Sequence, residues 1–306
     1  MTGYSLVSYQ MPDGPRAGVL VSQAVFDASE LTRQSSHATM LGLLEDWPRA
    51  EQRIQEALID WESVRCWPLA QTHVRAPVLW PSAIYCAGMN YSDHAAEMAR
   101  RMGREPDAYP KASLGAPWHF LKSPHAIADP GAVVAASHYC KNLDWEVELA
   151  AVIGRKAKNV PVERALDYVA GYTAANDLSA RDLSRRANTP PATPFHFDWI
   201  GQKCFDGSCP LGPVIVPAGD IPDPQNLSLK LWVNDVLKQD SNTSKMIFSL
   251  AEQIAHLSAG MTLYPGDIIL TGTPAGVGAG RNEFLKPGDT VKIEIEKIGV
   301  LANTIA

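Results

Sequence analysis

Asp144, Glu146 and Glu148 occupy alternate positions in an otherwise apolar stretch, residues 143–154. In an extended strand alternate side chains share a face, so the three carboxylates point one way and Trp145, Val147 and Leu149 the other. Carboxylates crowded on one face repel each other and cost free energy if buried. A hard divalent cation such as Mg2+, Mn2+ or Ca2+ takes oxygen ligands of this kind and is the simplest compensation. An edge strand with its acidic face in water accounts for the same residues as well. Asp177 ends a second apolar run, residues 169–177. It can add a third oxygen donor to Glu146 and Glu148, or cap a helix predicted over residues 178–186.

His94 and Glu97 lie three residues apart in a segment that reads as helical, so they share a face. Such a pair can act as a base with its orienting carboxylate, or can be an exposed pair of charges. The polar, Gly-, Pro- and Arg-rich stretch 99–117 that follows has the length of a lid or of a surface insertion. Lys122 closes a predicted strand at 118–124, and Lys203 stands in an apolar stretch after a proline-broken loop. The glycine-rich run 271–280 offers backbone N–H groups to an anion. It is not a nucleotide loop: it lacks Gly-Lys-Ser/Thr, and a strand follows where that motif needs a helix.

The elements that must carry these residues alternate between short strands and helices. Residues 4–29 read as two strands around Pro12-Asp13-Gly14-Pro15, and 40–61 as helix interrupted at Pro48. Prolines at 77 and 81 mark a boundary, giving a small N-terminal α+β domain over 1–78 and a second domain over 79–306. Further on, 230–236 reads as strand, 238–240 as turn, 244–257 as helix, and 267–270 and 289–296 as strands. The net charge of -6 gives no electrostatic case for nucleic acid or an anionic membrane. The five dispersed cysteines read as reduced thiols of a cytoplasmic protein. No apolar run reaches the length of a membrane span, and the N-terminus has no signal-like core.

Taken in order, 88–97 (Gly-Met-Asn-Tyr-Ser-Asp-His-Ala-Ala-Glu), 144–149 (Asp-Trp-Glu-Val-Glu-Leu), 171–177 (Gly-Tyr-Thr-Ala-Ala-Asn-Asp) and 271–278 (Thr-Gly-Thr-Pro-Ala-Gly-Val-Gly) resemble the fumarylacetoacetate hydrolase family over residues 82–306. The resemblance implies a mainly β (α+β) catalytic domain, with sheets rolled into a distorted barrel and short helices outside. It implies a cytoplasmic homodimer and a divalent metal, Mg2+ or Mn2+ and sometimes Ca2+, on Glu146, Glu148 and Asp177. It further assigns His94 and Glu97 as the dyad that activates water, Lys203 as the group that reaches the substrate oxygen, and Thr273 as the anchor of the substrate carboxylate. Lys122 and Gln239 match positions that commonly face the site. The expected reaction is metal-dependent C–C hydrolysis of an acylpyruvate or 2,4-diketo acid, a small-molecule 2-keto acid from aromatic ring cleavage. Isomerisation of a hydroxymuconate-type diacid, or decarboxylation, uses the same residues. A scaffold that keeps the metal for structure alone is the rival from another class, and the acidic set together with Lys203 argues against it.

Overall fold

The computed structural model describes residues 3–59, 61, 64–135 and 140–306. Its centre is the strand Val147–Ile153, buried along its whole length on both faces. Such a strand must be covered on each side, and the alternation of side chains assigns the covers. Val147, Leu149, Ala151 and Ile153 enter one apolar core with Trp145, Leu229, Ile293 and Leu257. Ala150 and Val152 enter another with Leu6, Val19, Phe26, Trp47 and Ile54 from the N-terminal region. Glu146 and Glu148 share the face of Ala150 and Val152, at the end of the strand where the second core stops.

Val147–Ile153 pairs antiparallel with Val169–Asn176 on one side and with Ile268–Leu270 on the other. The register places Val147 opposite Asn176, so Asp177 emerges beside Glu146. The sheet continues through Ile84–Ala87, parallel to Ile268–Leu270, to His119–Lys122 at one edge. In the other direction it runs through Cys209–Pro217 to the N-terminal strands Ser5–Met11, Gly14–Val21 and Ala24–Asp27. The N-terminal strands therefore share one hydrogen-bonded sheet with strands of the C-terminal region, across the expected boundary at residue 79. A five-stranded sheet, in which Ser228–Val233 lies between Val236–Asn242 and Thr290–Ile295, packs against the first core. The architecture is mainly β with short helices, as expected, but the sheets stay open and no hydrogen-bonded barrel closes among the described residues.

The N-terminal helices follow from their caps and apolar spacing. Pro48 lies in the first turn of Trp47–Ala57, where its missing N–H is not needed, so the proline starts this second helix after Met40–Glu45. Trp47, Ala50 and Ile54 recur at helical spacing and are buried. Leu250–Gly260 begins later than the sequence suggests, because Ser249 and Glu252 form a capping box that fixes its start. Two expectations fail. Residues 178–186 form no α-helix: a short pairing at Ser179–Ala180 and a 3-10 turn at Arg181–Leu183 take their place, because Leu143–Asp144 hydrogen-bonds to that segment. Residues 238–240 lie inside the strand Val236–Asn242, and the turn falls at Asn234 and Asp235, both in left-handed backbone conformation.

Asp27 anchors the N-terminal unit. It accepts hydrogen bonds from the Tyr9 hydroxyl (2.8 Å), Arg16 Nε (2.6 Å) and the N–H groups of Ser29 (2.9 Å) and Glu30 (3.1 Å). Burial alone would raise its pKa, but the donors, led by Arg16, bring it down to about 2. A carboxylate with a lowered folded pKa stabilises the fold above its unfolded value, and that contribution is lost as pH falls through the folded value. Asp27→Asn is therefore expected to melt below wild type at neutral pH. The gap between the two should narrow as pH falls from about 4 toward 2, read by thermal melts across that range.

Candidate active site

Glu146 sits in a break between the strands Leu143–Asp144 and Val147–Ile153. Its N–H donates to Asn176 Oδ1 (3.0 Å) and its carbonyl accepts from the Asp177 N–H (2.9 Å). That reciprocal clamp sets the two segments side by side and brings carboxylate oxygens of Glu146, Glu148 and Asp177 within 4.8 Å of one another. All three residues are buried. Lys203, from the short helix Trp199–Lys203, donates from Nζ to Glu146 Oε2 (2.8 Å) and Asp177 Oδ2 (2.6 Å). Lys122 donates to the other Asp177 oxygen (2.6 Å) from behind. Arg181 bonds Glu146 and, through Nε, Asp144 (2.8 Å).

Asp144 does not join the metal set. The break at Trp145-Glu146 turns it away, and its carboxylate accepts the N–H groups of Gly278 (2.6 Å) and Ala279 (2.9 Å) as well as Arg181. Burial opposes ionisation of Glu146, yet the adjacent Arg181 and Lys203 charges hold its carboxyl far below the usual range. Glu148 is driven the other way: burial, then Asp177 and Glu146, push it well above that range, with one backbone donor, Gly272 N–H at 2.7 Å. Three buried carboxylates with one poorly compensated member form a donor set that fits a hard divalent cation.

His94 lies on the helix Ser92–Arg101 and lines the same cavity, which has a volume of about 140 Å³. Its Nδ1 is 3.3 Å from Glu97 Oε2, so Nε2 is left for the cavity side. Glu97 stands behind it and accepts the Gly276 N–H at 3.0 and 3.1 Å. Gly276 holds a positive φ of 101°, and a Cβ there would overlap the Lys238 carbonyl, so the approach needs glycine. Neighbouring Asp93 accepts from Ser241 (2.7 Å), Lys245 (3.1 Å) and the Ala275 N–H (3.3 Å). The loop that reads as an anion cradle thus spends its N–H groups on the chain's own carboxylates.

Thr273 lines the cavity, with its hydroxyl donating to the Val147 carbonyl (2.9 Å) and accepting from Gln239 Nε2 (3.0 Å). Gln239 and Lys122 do not line it. Gln239 is consumed by Val147 N–H, Thr273 and the Pro274 carbonyl, and Lys122 by Asp177 and the Leu178 carbonyl. Of the stretch 99–117, residues 99–101 extend the His94 helix and Pro110–Leu114 forms a short helix. Lys111 ties that helix to Glu252 at 2.5 Å. Three groups beyond the expected set also line the cavity: Arg181, Gln202, and the aromatic cluster Trp118, Phe120 and Trp199. Phe120 alternates with Lys122 in the strand His119–Lys122 and Trp118 directly precedes that strand, an alternate spacing present in the sequence.

Residues 83–306 match the family described as Fumarylacetoacetate (FAA) hydrolase, C-terminal. The chain belongs to the fumarylacetoacetate hydrolase family. Over 240 residues, 78% of this chain and 71% of the relative, it is 41% identical to the Homo sapiens oxaloacetate tautomerase FAHD2B, mitochondrial. It superposes on the 5-carboxymethyl-2-hydroxymuconate delta-isomerase of Mycobacterium smegmatis with a TM-score of 0.74 and 32% identity, covering 99% of each chain. It also superposes on the maleylpyruvate hydrolase of Sphingobium sp. SYK-6, in complex with manganese(II) ion and pyruvate, with a TM-score of 0.73, 31% identity and 98% of each chain covered. The proteins so named are a tautomerase, an isomerase and a hydrolase, and the latter two share this fold.

The donor set makes a prediction in which fold and metal affinity part company. Glu148→Gln removes one of three mutually repelling carboxylates, so the metal-free variant should melt at or above wild type. Its Mn2+ affinity should fall about tenfold or more, and the rise in melting temperature on adding Mn2+ should largely vanish. Calorimetric titration and paired melts read both quantities.

Proposed function

We propose that this protein is a divalent-cation-dependent hydrolase that cleaves the C3–C4 bond of an acylpyruvate to give pyruvate and a carboxylic acid. One observation carries the reading: a His-Glu base, a buried lysine and a three-carboxylate donor set face one small cavity. Glu146, Glu148 and Asp177 would hold the cation, which supplies Lewis acidity toward the oxygens of a 2-oxo acid. Lys203 places a positive charge beside the oxygen that becomes negative as C3–C4 breaks. His94, oriented by Glu97, takes a proton from water, and the hydroxide so formed adds to the C4 carbonyl. The C3–C4 bond then breaks, its electrons stay with the pyruvate fragment, and protonated His94 returns the proton to C3. Thr273, at the cavity wall, would meet the substrate carboxylate by turning its hydroxyl away from the Val147 carbonyl. The metal in the cell would be Mg2+ or Mn2+, with Ca2+ the looser fit to so small a site. The manganese held by the maleylpyruvate hydrolase neighbour supports this choice. The reading places the enzyme in the catabolism of aromatic ring-cleavage products, in the cytoplasm and as a homodimer.

The tautomerase relative favours a second reading of the same residues. If His94 removes a proton from C3 and returns it to the enol oxygen, with no water attacking, the reaction is keto–enol conversion of an oxaloacetate-type acid. The isomerase neighbour, named for 5-carboxymethyl-2-hydroxymuconate, likewise points to proton transfer without attack by water. Two assays separate the readings. Hydrolysis releases pyruvate from acetylpyruvate, read by coupled NADH oxidation, whereas tautomerisation speeds the decay of enol-oxaloacetate absorbance and releases no pyruvate. On the hydrolase reading, EDTA abolishes pyruvate release and Mg2+ or Mn2+ restores it. His94→Asn should lower kcat by about 10²–10⁴ with much less change in KM. Pyruvate release untouched by EDTA, or undiminished in His94→Asn, would refute the proposal.

A further inference from the structure

The side of the cavity away from the carboxylates is built of rings. Trp118, Phe120 and Trp199 pack on one another with centroid separations of 5.8, 4.9 and 5.3 Å, the last pair nearly parallel at 23°. Phe197 continues the stack at 6.4 Å from Trp199. Lys203 Nζ stands 5.0 Å from the centre of the Phe120 ring, so the ring wall begins where the charged end of the site stops. The Cε3–Cζ3 edge of Trp118 abuts the backbone at Gly88, where any Cβ would overlap its ring. That contact holds the ring at the mouth although Trp118 is 48% exposed.

The polar groups of this lining divide into spent and unspent. Lys203 and Arg181 are bound to Glu146, Asp177 and Asp144, and His94 is bound to Glu97, so among the described lining residues no cation is without a carboxylate partner. Gln202 differs. It is 6% exposed, lines the cavity, and its side-chain amide makes no hydrogen bond to another described residue. The residue is largely covered, but its amide opens on the cavity and is free to meet a group bound there. An amide suits a neutral carbonyl, whereas a carboxylate is met best by a cation or several N–H donors. The ring faces carry negative quadrupole charge, which disfavours an anion lying against them and favours a flat apolar group.

We propose that the substrate bears, beyond its 2-oxo acid head, a neutral and planar acyl group, aromatic or unsaturated. Trp118, Phe120 and Trp199 hold its faces, and Gln202 hydrogen-bonds the acyl carbonyl at C4. The proposal rests on the acylpyruvate reading and narrows it: chains ending in a second carboxylate are poor substrates.

The test uses the full chain with saturating Mn2+ and three oxalyl compounds, titrated by calorimetry. Oxamate presents the head alone, N-phenyloxamate adds a flat ring, and N-oxalylglycine adds a carboxylate. N-phenyloxamate should bind at least about tenfold more tightly than N-oxalylglycine, the discrimination an apolar pocket ordinarily achieves. In Trp199→Ala that ratio should shrink to about twofold. Gln202 is read separately. Gln202→Leu should lose about tenfold or more in kcat/KM on benzoylpyruvate, which has the C4 carbonyl, yet bind N-phenyloxamate, which lacks it, within about twofold of wild type. A loss on both probes would mark Gln202 as merely structural and overturn its part. Oxamate binding with equal or reversed affinity for the two extended compounds overturns the proposal and leaves the 2-oxo acid reading standing. Absence of oxamate binding overturns both.

Discussion

Placing several carboxylates together inside a folded chain is costly, and that cost organises this structure. Asp93, Glu97, Asp144, Glu146, Glu148 and Asp177 all lie around one small cavity or directly behind it. Two kinds of partner offset them. Lys122, Lys203 and Arg181 supply full charges to one group, and the loop from Gly272 to Ala279 supplies backbone N–H dipoles to the other. Glu148, with one loop N–H and two carboxylate neighbours, is the least compensated. The two kinds overlap, since Asp144 takes both Arg181 and loop N–H groups, and Glu148 takes a loop N–H within the cluster.

The face of Val147–Ile153 that carries Glu148, with Glu146 just before it, passes within a few residues from charged to wholly apolar. Its apolar part is covered by the N-terminal strands and helices, which enter the core with Ala150 and Val152. The small side chain of Ala150 allows that close cover. The N-terminal region therefore has a physical role in the site: without it, the strand that carries Glu148 would have one bare face. Its own charge network, with Asp27 at the centre, lies far along the sheet from the cavity and serves the docking of that cover.

Much of this could be read from the residues. Strand alternation marked Glu146 and Glu148, and the end of the run at 169–177 marked Asp177, because a strand's period is short enough to survive in a few residues. His94 and Glu97 were legible because helical neighbours three apart must share a face. What escaped depends on contacts between distant segments. Asp144 has the same spacing as its neighbours, but a break in the strand, set by Asn176 and by the pairing of Leu143–Asp144 with Ser179–Ala180, sends it to the glycine loop. The same pairing replaces the helix expected after Asp177. Gln239 and Lys122 looked like site residues by position, yet their donors are used one layer back. Gln202 carries no local signal, since only the folded chain brings its amide to the cavity.

The glycine loop grips Glu97 through Gly276, Glu148 through Gly272 and Asp144 through Gly278 within one short run of backbone. Glu97, Glu148 and Asp144, the last with the Arg181 it bonds, therefore move together or not at all. A designer who wants this scaffold to accept a different compound has little freedom there, because a shift that suits one carboxylate misplaces the others. The aromatic side of the cavity has no such linkage: its rings come from two separate segments and touch mainly one another. Natural or laboratory divergence of specificity should accumulate on those rings while the loop stays fixed, so one unaltered reaction centre can serve many different acids.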